Sequence, residues 1–402
     1  MREAIPRVVY LPRDYPSLSQ TFVRNEVLSL RRTGLRVDVI ALRHSYTENV
    51  PEGWAGEHAL ARRLPWPRSL RDTSWWALRH PFRFRRMWKL MRRGPAYVRW
   101  TAVRYLPTLA RDLRTREVLA CHTHFAFEHA WCTLYLATLL DVPATITVHA
   151  ADIYRDTEAA VDFLEQFDAV VNVCTYNEDL LRSHGLSKPS THLVPCGVDV
   201  PAEPPAPPRQ SRRVVSVGRM VPKKGFPGLI RAMALVHERV PDATLEIIGG
   251  GELEEEVRAL VTELGLDDVV EMRGPRSHDE SLAAISASSV FVLNCAVPPD
   301  GDTDALPVVL REAMARAKPV VTTAVAGIPE TLDDTCGWVV APDEPHRLAD
   351  ALVEALLDPA GAEERGRRAR ERVIERFTLE STAERLSGVF RTVATRRAAR
   401  RP

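Results

Sequence analysis

The chain has 402 residues, with 54 Lys and Arg against 53 Asp and Glu for a net charge of +1, and it is 45% hydrophobic and 27% charged. That length exceeds one compact core and points to two domains, while the near-neutral balance excludes a molecule-wide attraction for nucleic acid. The six cysteines form no Cys-x-x-Cys pair, which argues against a zinc cluster or a disulfide framework; with no signal-like N-terminus and no apolar run near the ~20 residues of a spanning helix, the expectation is a cytoplasmic protein.

Arg7 to Leu11 reads as a buried strand, Phe22 to Thr33 as a helix ended by Gly34, and Arg36 to Leu42 as the next strand, which together make a parallel βαβ unit. Further strands are predicted at Ala144 to Val148 and Ala169 to Cys174. Five prolines between Val200 and Ser211 forbid helix or ladder and suggest an interdomain linker, 200–212. A second series of strands follows at 213–217, 244–248, 269–272, 290–293, 319–322 and 337–340, with helices such as Gly251 to Leu264 and Asp279 to Ser286 between them. The pattern predicts two doubly wound α/β domains, 1–199 and 213–377, with ligands beyond the carboxyl ends of the strands in a cleft between domains. The helical segment 378–402 is expected to pack back towards the first domain.

Several loops carry candidate chemistry. Asp300 to Glu312 puts Asp304 in a loop and Glu312 eight residues on, with a helix start between them. Pro307 suits the first helical position, and the free N–H groups there suit an anion. An acidic loop capping a surface helix would give the same pattern. Gly218-Arg-Met-Val-Pro-Lys-Lys-Gly225 follows a strand and opens a helix, so Arg219 and Lys224 sit where a ligand would present phosphates; solvated basic side chains are the alternative. Gly249-Gly250-Gly251 follows a strand too, but lacks a full dinucleotide spacing and would also serve as a plain turn.

In the first half, His149 and Asp152 lie just past a strand end, where His149 would meet sugar hydroxyls, act through its carbonyl, or simply pack. His122, His124 and His149 do not have helical metal-ligand spacing, so no metal site is expected. Ser19, in the loop after the first strand, would face the same cleft or act as an N-cap.

The arrangement resembles the retaining GT-B glycosyltransferases of family 4, and within it the exopolysaccharide and colanic-acid-type branch. Pro16-Ser-Leu-Ser-Gln-Thr-Phe22 with Glu26, His124-Phe125, His149-Ala-Ala-Asp152, Pro195-Cys-Gly-Val-Asp199, Gly218 to Gly225 and Asp300 to Glu312 match the branch's motifs in order. The resemblance implies a nucleotide diphosphate sugar donor held mainly on the second domain. Arg219 and Lys224 would neutralise the leaving diphosphate and Glu312 would receive the ribose hydroxyls. Asp304 and the N–H groups of Ala305 and Leu306 would hold the sugar, with Gly218, Gly249, Gly250, Pro307, Ser19 and Asp152 lining the donor and His149 facing it. No cofactor or metal is implied. Three residues depart from the pattern: Asp304 stands where glutamate is usual, and Ala150 and Ala305 where glycine is usual.

Residues 62–116 form a basic, aromatic insert with Trp66, Trp75, Trp76, Trp88 and Trp100 and few acids. It suits an anionic membrane surface and a lipid-linked or glycan acceptor, at the inner face of the membrane; the alternative is a helical hairpin packed on the first domain. No nucleic-acid motif accompanies it. The expected function is transfer of a sugar to such an acceptor in polysaccharide or glycolipid assembly. A nucleotide-sugar epimerase of the same fold and a catalytically silent nucleotide-sugar-binding scaffold are the alternatives.

Overall fold

Two parallel sheets organise the chain in this computed structural model, which describes residues 5–15, 20–42, 69–205 and 212–399. The chain divides into two units: one comprises Met1–Val173, Asn177–Pro195 and Leu379–Pro402, the other Cys174–Tyr176 and Cys196–Thr378.

The first unit holds β1 (Arg7–Tyr10), β2 (Arg36–Val39), β3 (Val118–His124), β4 (Ala144–Val148), β5 (Ala169–Asn172) and β6 (Ser190–Leu193), in the order β2-β1-β3-β4-β5-β6. Every pairing is parallel, so each connection crosses over through helix and both faces are covered. On one face Val9, Ile146 and Val148 pack against Leu134, Leu136 and Leu106. On the other, Val8, Tyr10 and Val37 meet Val23, Val27 and Leu30 of the helix Thr21–Arg32, together with Leu386 and Phe390 of the helix Leu379–Ala399. β3 and β6 lie outside the sequence expectation. β3 reads Val-Leu-Ala-Cys-His-Thr-His and buries His122, Thr123 and His124, so polar residues mask a central strand. β6 is a half-exposed edge strand with a single aliphatic residue.

The insert is three helices, Ser69–Arg79, Pro81–Met91 and Ala96–Leu113, instead of a hairpin. Trp76 is buried and its Nε1–H donates to the Pro107 carbonyl at 2.9 Å. Trp75 carries the guanidinium groups of Arg111 and Arg114, each 5.0 Å from its ring centre. Trp88 and Trp100 stay exposed. Trp66, with 62–68, lies outside the described residues.

The second unit repeats the plan with β7 (Arg213–Val217), β8 (Thr244–Ile248), β9 (Val270–Met272), β10 (Val290–Leu293), β11 (Val320–Thr323) and β12 (Trp338–Val340). Their order is β12-β11-β10-β7-β8-β9, again all parallel. Val214, Ile247 and Val292 bury one face, Val215, Phe291 and Leu293 the other. The units divide at Pro195–Cys196, ahead of the expected boundary at 199. The cause is local: Val198 bridges Thr378, and Arg370 donates to the Pro201 carbonyl at 2.5 Å. Linker residues 206–211 lie outside the described residues. Among the described residues no helix is long and apolar enough to cross a membrane.

Candidate functional site

In the second unit the strand order turns between β7 and β10, the switch point beyond which open α/β sheets bind ligands. The loops leaving these two strands are stitched together. Asn294 Nδ2 donates to the Gly225 carbonyl at 2.7 Å, and the Ala296 N–H donates to the Lys223 carbonyl at 3.0 Å. A short 3₁₀ turn, Pro222–Lys224, turns both lysines towards the second loop. There Lys223 Nζ meets Asp302 at 2.9 Å and Asp304 at 3.7 Å, and Lys224 Nζ meets Asp304 Oδ2 at 2.6 Å.

Burial opposes both charges of the inner pair, but the partners outweigh it. Lys224 is raised, against desolvation, chiefly by Asp304, while the charge of Arg219 nearby works the other way. Asp304 is lowered, against desolvation, by Lys224 and then Lys223. Cys295 Sγ also donates to Asp304 at 3.5 Å, and burial pushes that thiol well up, so it stays protonated. Arg219 is exposed at the rim.

The triple-glycine turn has a definite steric reason. Gly249 adopts φ +141°, and a Cβ there would stand 1.9 Å from the Gly218 carbonyl oxygen. The Met220 N–H donates to the Gly250 carbonyl at 2.9 Å, fixing this turn against the loop that carries Arg219. Only glycine allows that approach.

The helix Val308–Ala315 begins one residue later than expected. Pro307 is its N-cap, with extended ψ of 125°, and no side chain caps the helix or adds an acid to its first turn. The first N–H groups are therefore uncapped, as an anion site requires. Ala305 and Pro307 are buried and Leu306 half-buried ahead of this helix start. Glu312 is buried on the same helix, 3.7 Å from His278 Nε2. Burial raises Glu312 above the usual carboxylate range, with His278, Arg316 and Arg311 pulling it back.

In the first unit the corresponding switch lies between β1 and β3, with β4 next to it. His149 follows β4, its ring 4.4 Å from that of Phe125 and 4.9 Å from that of Phe22. Phe125 holds φ +67°, a strained conformation for a bulky residue and a common mark of a functional loop. The His149 carbonyl accepts from Asn177 Nδ2 at 2.8 Å. Asp152 accepts from the N–H groups of Ala126 at 2.9 Å, Ala150 at 2.9 Å and His149 at 3.1 Å, so its carboxylate ties two loops together. Neither Ala150 nor Ala305 lies at positive φ, so replacing the family's glycines by alanine adds no left-handed strain. Ser19 lies outside the described residues; the N-cap of the helix Thr21–Arg32 is Gln20.

Spacing along the sequence did not reveal that Glu26, His122 and His124 bring ligand-type atoms within 4.8 Å of one another. His122 has its two ring nitrogens at 2.8 Å from Thr145 Oγ1 and 3.2 Å from Thr147 Oγ1, and the cluster is knit by hydrogen bonds. Sequence reasoning also gave no role to Lys223, Asp302, His278 or Asn177. A signal existed for Glu26, an acid on the same helical face as Val23, Val27 and Leu30.

Two family models match the chain in succession: Glycosyltransferase Family 4 over residues 19–201 and Glycosyl transferases group 1 over 202–372. The putative colanic acid biosynthesis glycosyltransferase WcaL of Escherichia coli (strain K12) is 27% identical over 401 residues, covering 94% of this chain and 98% of that protein. A GDP-mannose-dependent alpha-(1-6)-phosphatidylinositol monomannoside mannosyltransferase of Mycobacterium tuberculosis (strain ATCC 25618 / H37Rv) is 28% identical over 325 residues, 74% of this chain and 84% of that protein. Among solved structures, Anabaena Alr3699/HepE in complex with UDP superposes with a TM-score of 0.72 over 96% of this chain and all of that one, at 14% identity, which marks a shared fold. With consecutive family models spanning residues 19 to 372 and a doubly wound sheet in each unit, the chain belongs to the family 4 glycosyltransferases of GT-B fold.

Proposed function

We propose that this glycosyltransferase moves a sugar, with retention of configuration and without a metal ion, from a nucleotide diphosphate sugar to a lipid-linked or glycan acceptor in polysaccharide or glycolipid assembly. The observation that carries the reading is the cluster of buried Lys223 with half-buried Lys224, Asp302 and Asp304 beside the uncapped helix start at Val308. It offers fixed cations for a diphosphate and fixed acceptors for hydroxyls at a sheet switch point. The relatives named above act in colanic acid biosynthesis and on a phosphatidylinositol mannoside, and the Anabaena protein binds UDP. These support the donor class and acceptor class without choosing base or sugar.

In this reading Lys224 and Arg219 take the charge of the departing diphosphate, and the N–H groups at the helix start add to it. Glu312 accepts from the ribose hydroxyls. Asp304, with the N–H groups of Ala305 and Leu306, holds the sugar. The bond from the anomeric carbon to the diphosphate oxygen breaks as the acceptor oxygen bonds to that carbon on the same face. The acceptor's proton passes to a phosphate oxygen, so no protein base is needed. Gly218, Gly249 and Gly250 keep the backbone close to the diphosphate, and Asp152 holds the loop bearing His149.

The exposed apolar groups of the insert, Leu78, Phe82 and Trp100 among arginines, support contact with an anionic membrane that presents the acceptor. Incubating the protein with a panel of labelled nucleotide sugars and a bacterial lipid extract tests the whole reading. Transfer of label to lipid or glycan is the expected outcome. Isomerised free donor would replace it with epimerase activity, and binding without turnover with a silent scaffold.

A further inference from the structure

A cavity of about 430 Å³ opens within the first unit, at the amino ends of β4 and β5, where Ala144 begins one strand and Asp168 precedes the other. That volume falls in the range of about 300–1,000 Å³ usual for small-molecule sites. Its walls are the insert's second helix, Pro81–Met91, the helix Ala130–Leu140 and the end of the helix Leu379–Ala399. His149 follows the opposite end of β4, roughly 16 Å away along the strand, so the cavity is separate from the loops described above.

Four cations line the cavity, Arg86, Lys89, Arg93 and Arg397, against one carboxylate, Asp168, which leaves an excess of three positive charges. Asp168 is already engaged: one oxygen accepts from the Ala144 N–H at 2.9 Å and the other meets Arg397 at 3.5 Å. The excess therefore falls on Arg86, Lys89 and Arg93. Among the described residues Arg86 and Lys89 meet no carboxylate, and Arg93 donates to the neutral Gln166 Oε1 at 2.9 Å. Arg86 and Lys89 stand three apart on one helix, with Arg93 four further on in the turn after it. Like charges at that spacing repel along a single face, and an anion lying across them relieves the repulsion. The lining also includes Leu90, Leu134 and Val142. Phe82, 85% exposed, precedes Arg86 by four residues and shares its side of the helix. Cations alone suit any phosphate; apolar lining and an exposed ring beside them suit a phosphate that carries hydrocarbon.

We propose that this cavity binds the headgroup of an anionic phospholipid, with Arg86, Lys89 and Arg93 on its phosphate and Leu90, Leu134 and Val142 against its glycerol and first methylenes. This rests on the reading above in which the insert meets an anionic membrane. Arginine's planar fork and lysine's compact charge both suit phosphate oxygens. At the amino ends of the strands the site anchors the protein and takes no part in sugar transfer.

The test is calorimetric titration of the full-length protein, at about 0.15 M salt, with dihexanoyl-phosphatidylglycerol below its critical micelle concentration. Inorganic phosphate and dihexanoyl-phosphatidylcholine are titrated beside it. The unaltered protein should bind the phosphatidylglycerol at least about tenfold more tightly than either. Arg86→Ala combined with Lys89→Ala should weaken that binding about tenfold or more; both side chains are exposed, so the core is untouched. Arg85→Ala combined with Arg92→Ala removes the same charge from the same helix and its C-cap, outside the cavity, and should change binding less than about twofold. Thr138→Trp fills the cavity with every charge in place and should also weaken binding. Equal losses from the two double variants overturn the proposal, as does phosphatidylcholine bound as tightly as phosphatidylglycerol. Inorganic phosphate bound as tightly overturns it too, and makes this a site for free phosphate. Vesicles containing phosphatidylglycerol separate the cavity from the reading beneath it. Sedimentation that depends on Phe82 and Trp100, without binding of the short-chain lipid, overturns the cavity site and leaves the membrane reading standing. Short-chain binding without sedimentation supports the site and overturns the membrane reading.

Discussion

Lys224 Nζ and Asp304 Oδ2 lie 2.6 Å apart with side chains only 12% and 16% exposed, so the phosphate ligand and the sugar ligand proposed above are one ion pair. A donor cannot engage one without affecting the other. Asp304 is held below its ordinary range, so its stabilising charge is present above the unfolded value and lost as pH falls through the folded one. Lys224 is raised, so its contribution is present below its unfolded value and lost as pH rises through the folded one. The pair therefore stays intact across the neutral range.

Removing either partner alone leaves a buried charge short of its nearest counterpart, which costs about 3–5 kcal/mol when nothing else compensates. Lys223 and Asp302 reduce that cost here. Lys224→Ala and Asp304→Ala should each destabilise the protein, and the double variant should be less destabilised than their sum by about 1–3 kcal/mol. Denaturant unfolding of the four proteins reads the coupling directly; additive effects would mean the pair does not act as a unit.

Asp304→Glu restores the carboxylate usual in the family and advances it by about 1.5 Å. With Lys224 already at hydrogen-bond distance, the longer side chain must move past the ammonium, towards the ligand. The expected result is an altered ranking of donor sugars by kcat/KM, read over the same nucleotide-sugar panel, with nucleotide affinity changed less than about threefold. An unchanged ranking would remove Asp304 from sugar selection.

Glu312 carries the opposite electrostatics. Its folded pKa is raised by burial, so between the unfolded and folded values the folded state binds more protons and stability falls as pH rises. Glu312→Gln should therefore raise thermal stability at neutral pH while weakening nucleotide binding by about tenfold, as a lost charge-assisted hydrogen bond would. In the unaltered protein, nucleotide affinity by calorimetry should begin to fall on acidification above the ~4.3 of a free glutamate. Affinity that holds down to that value would remove Glu312 from the binding step.

The insert offers its own test. Leu78, Phe82 and Trp100 are 81%, 85% and 79% exposed among basic residues, whereas Trp76 is buried and serves packing. Phe82→Ala combined with Trp100→Ala should reduce co-sedimentation with vesicles containing phosphatidylglycerol several-fold, and binding of the unaltered protein should weaken with salt. Equal sedimentation of the two proteins would assign the insert to packing alone.

Much of the architecture was legible because parallel strands buried on both faces read as aliphatic runs, as at Arg213–Val217 and Val290–Leu293. β3 escaped because its buried end is His122-Thr123-His124, and those polar groups are paired with the Thr145 hydroxyl, the Leu11 carbonyl and the Glu26 carboxylate, all far along the chain. That Arg219, Lys224 and Asp304 follow strands and Glu312 lies on the next helix was legible from strand–loop–helix order. The share taken by Lys223 was not, because a 3₁₀ turn, which has no readable period, decides which lysines face Asp302 and Asp304. Pro307 was placed one position too deep because its fixed φ suits both the N-cap and the first helical turn.

The central claim is that these residues carry sugar transfer with retention from a nucleotide diphosphate donor. The most direct measurement is the anomeric configuration of the glycosylated product by NMR, for the unaltered protein and for Lys224→Ala. The account predicts a product with the anomeric configuration of the donor, formed at least about a hundredfold more slowly by the variant. An inverted product, or equal rates for the two proteins, would contradict it.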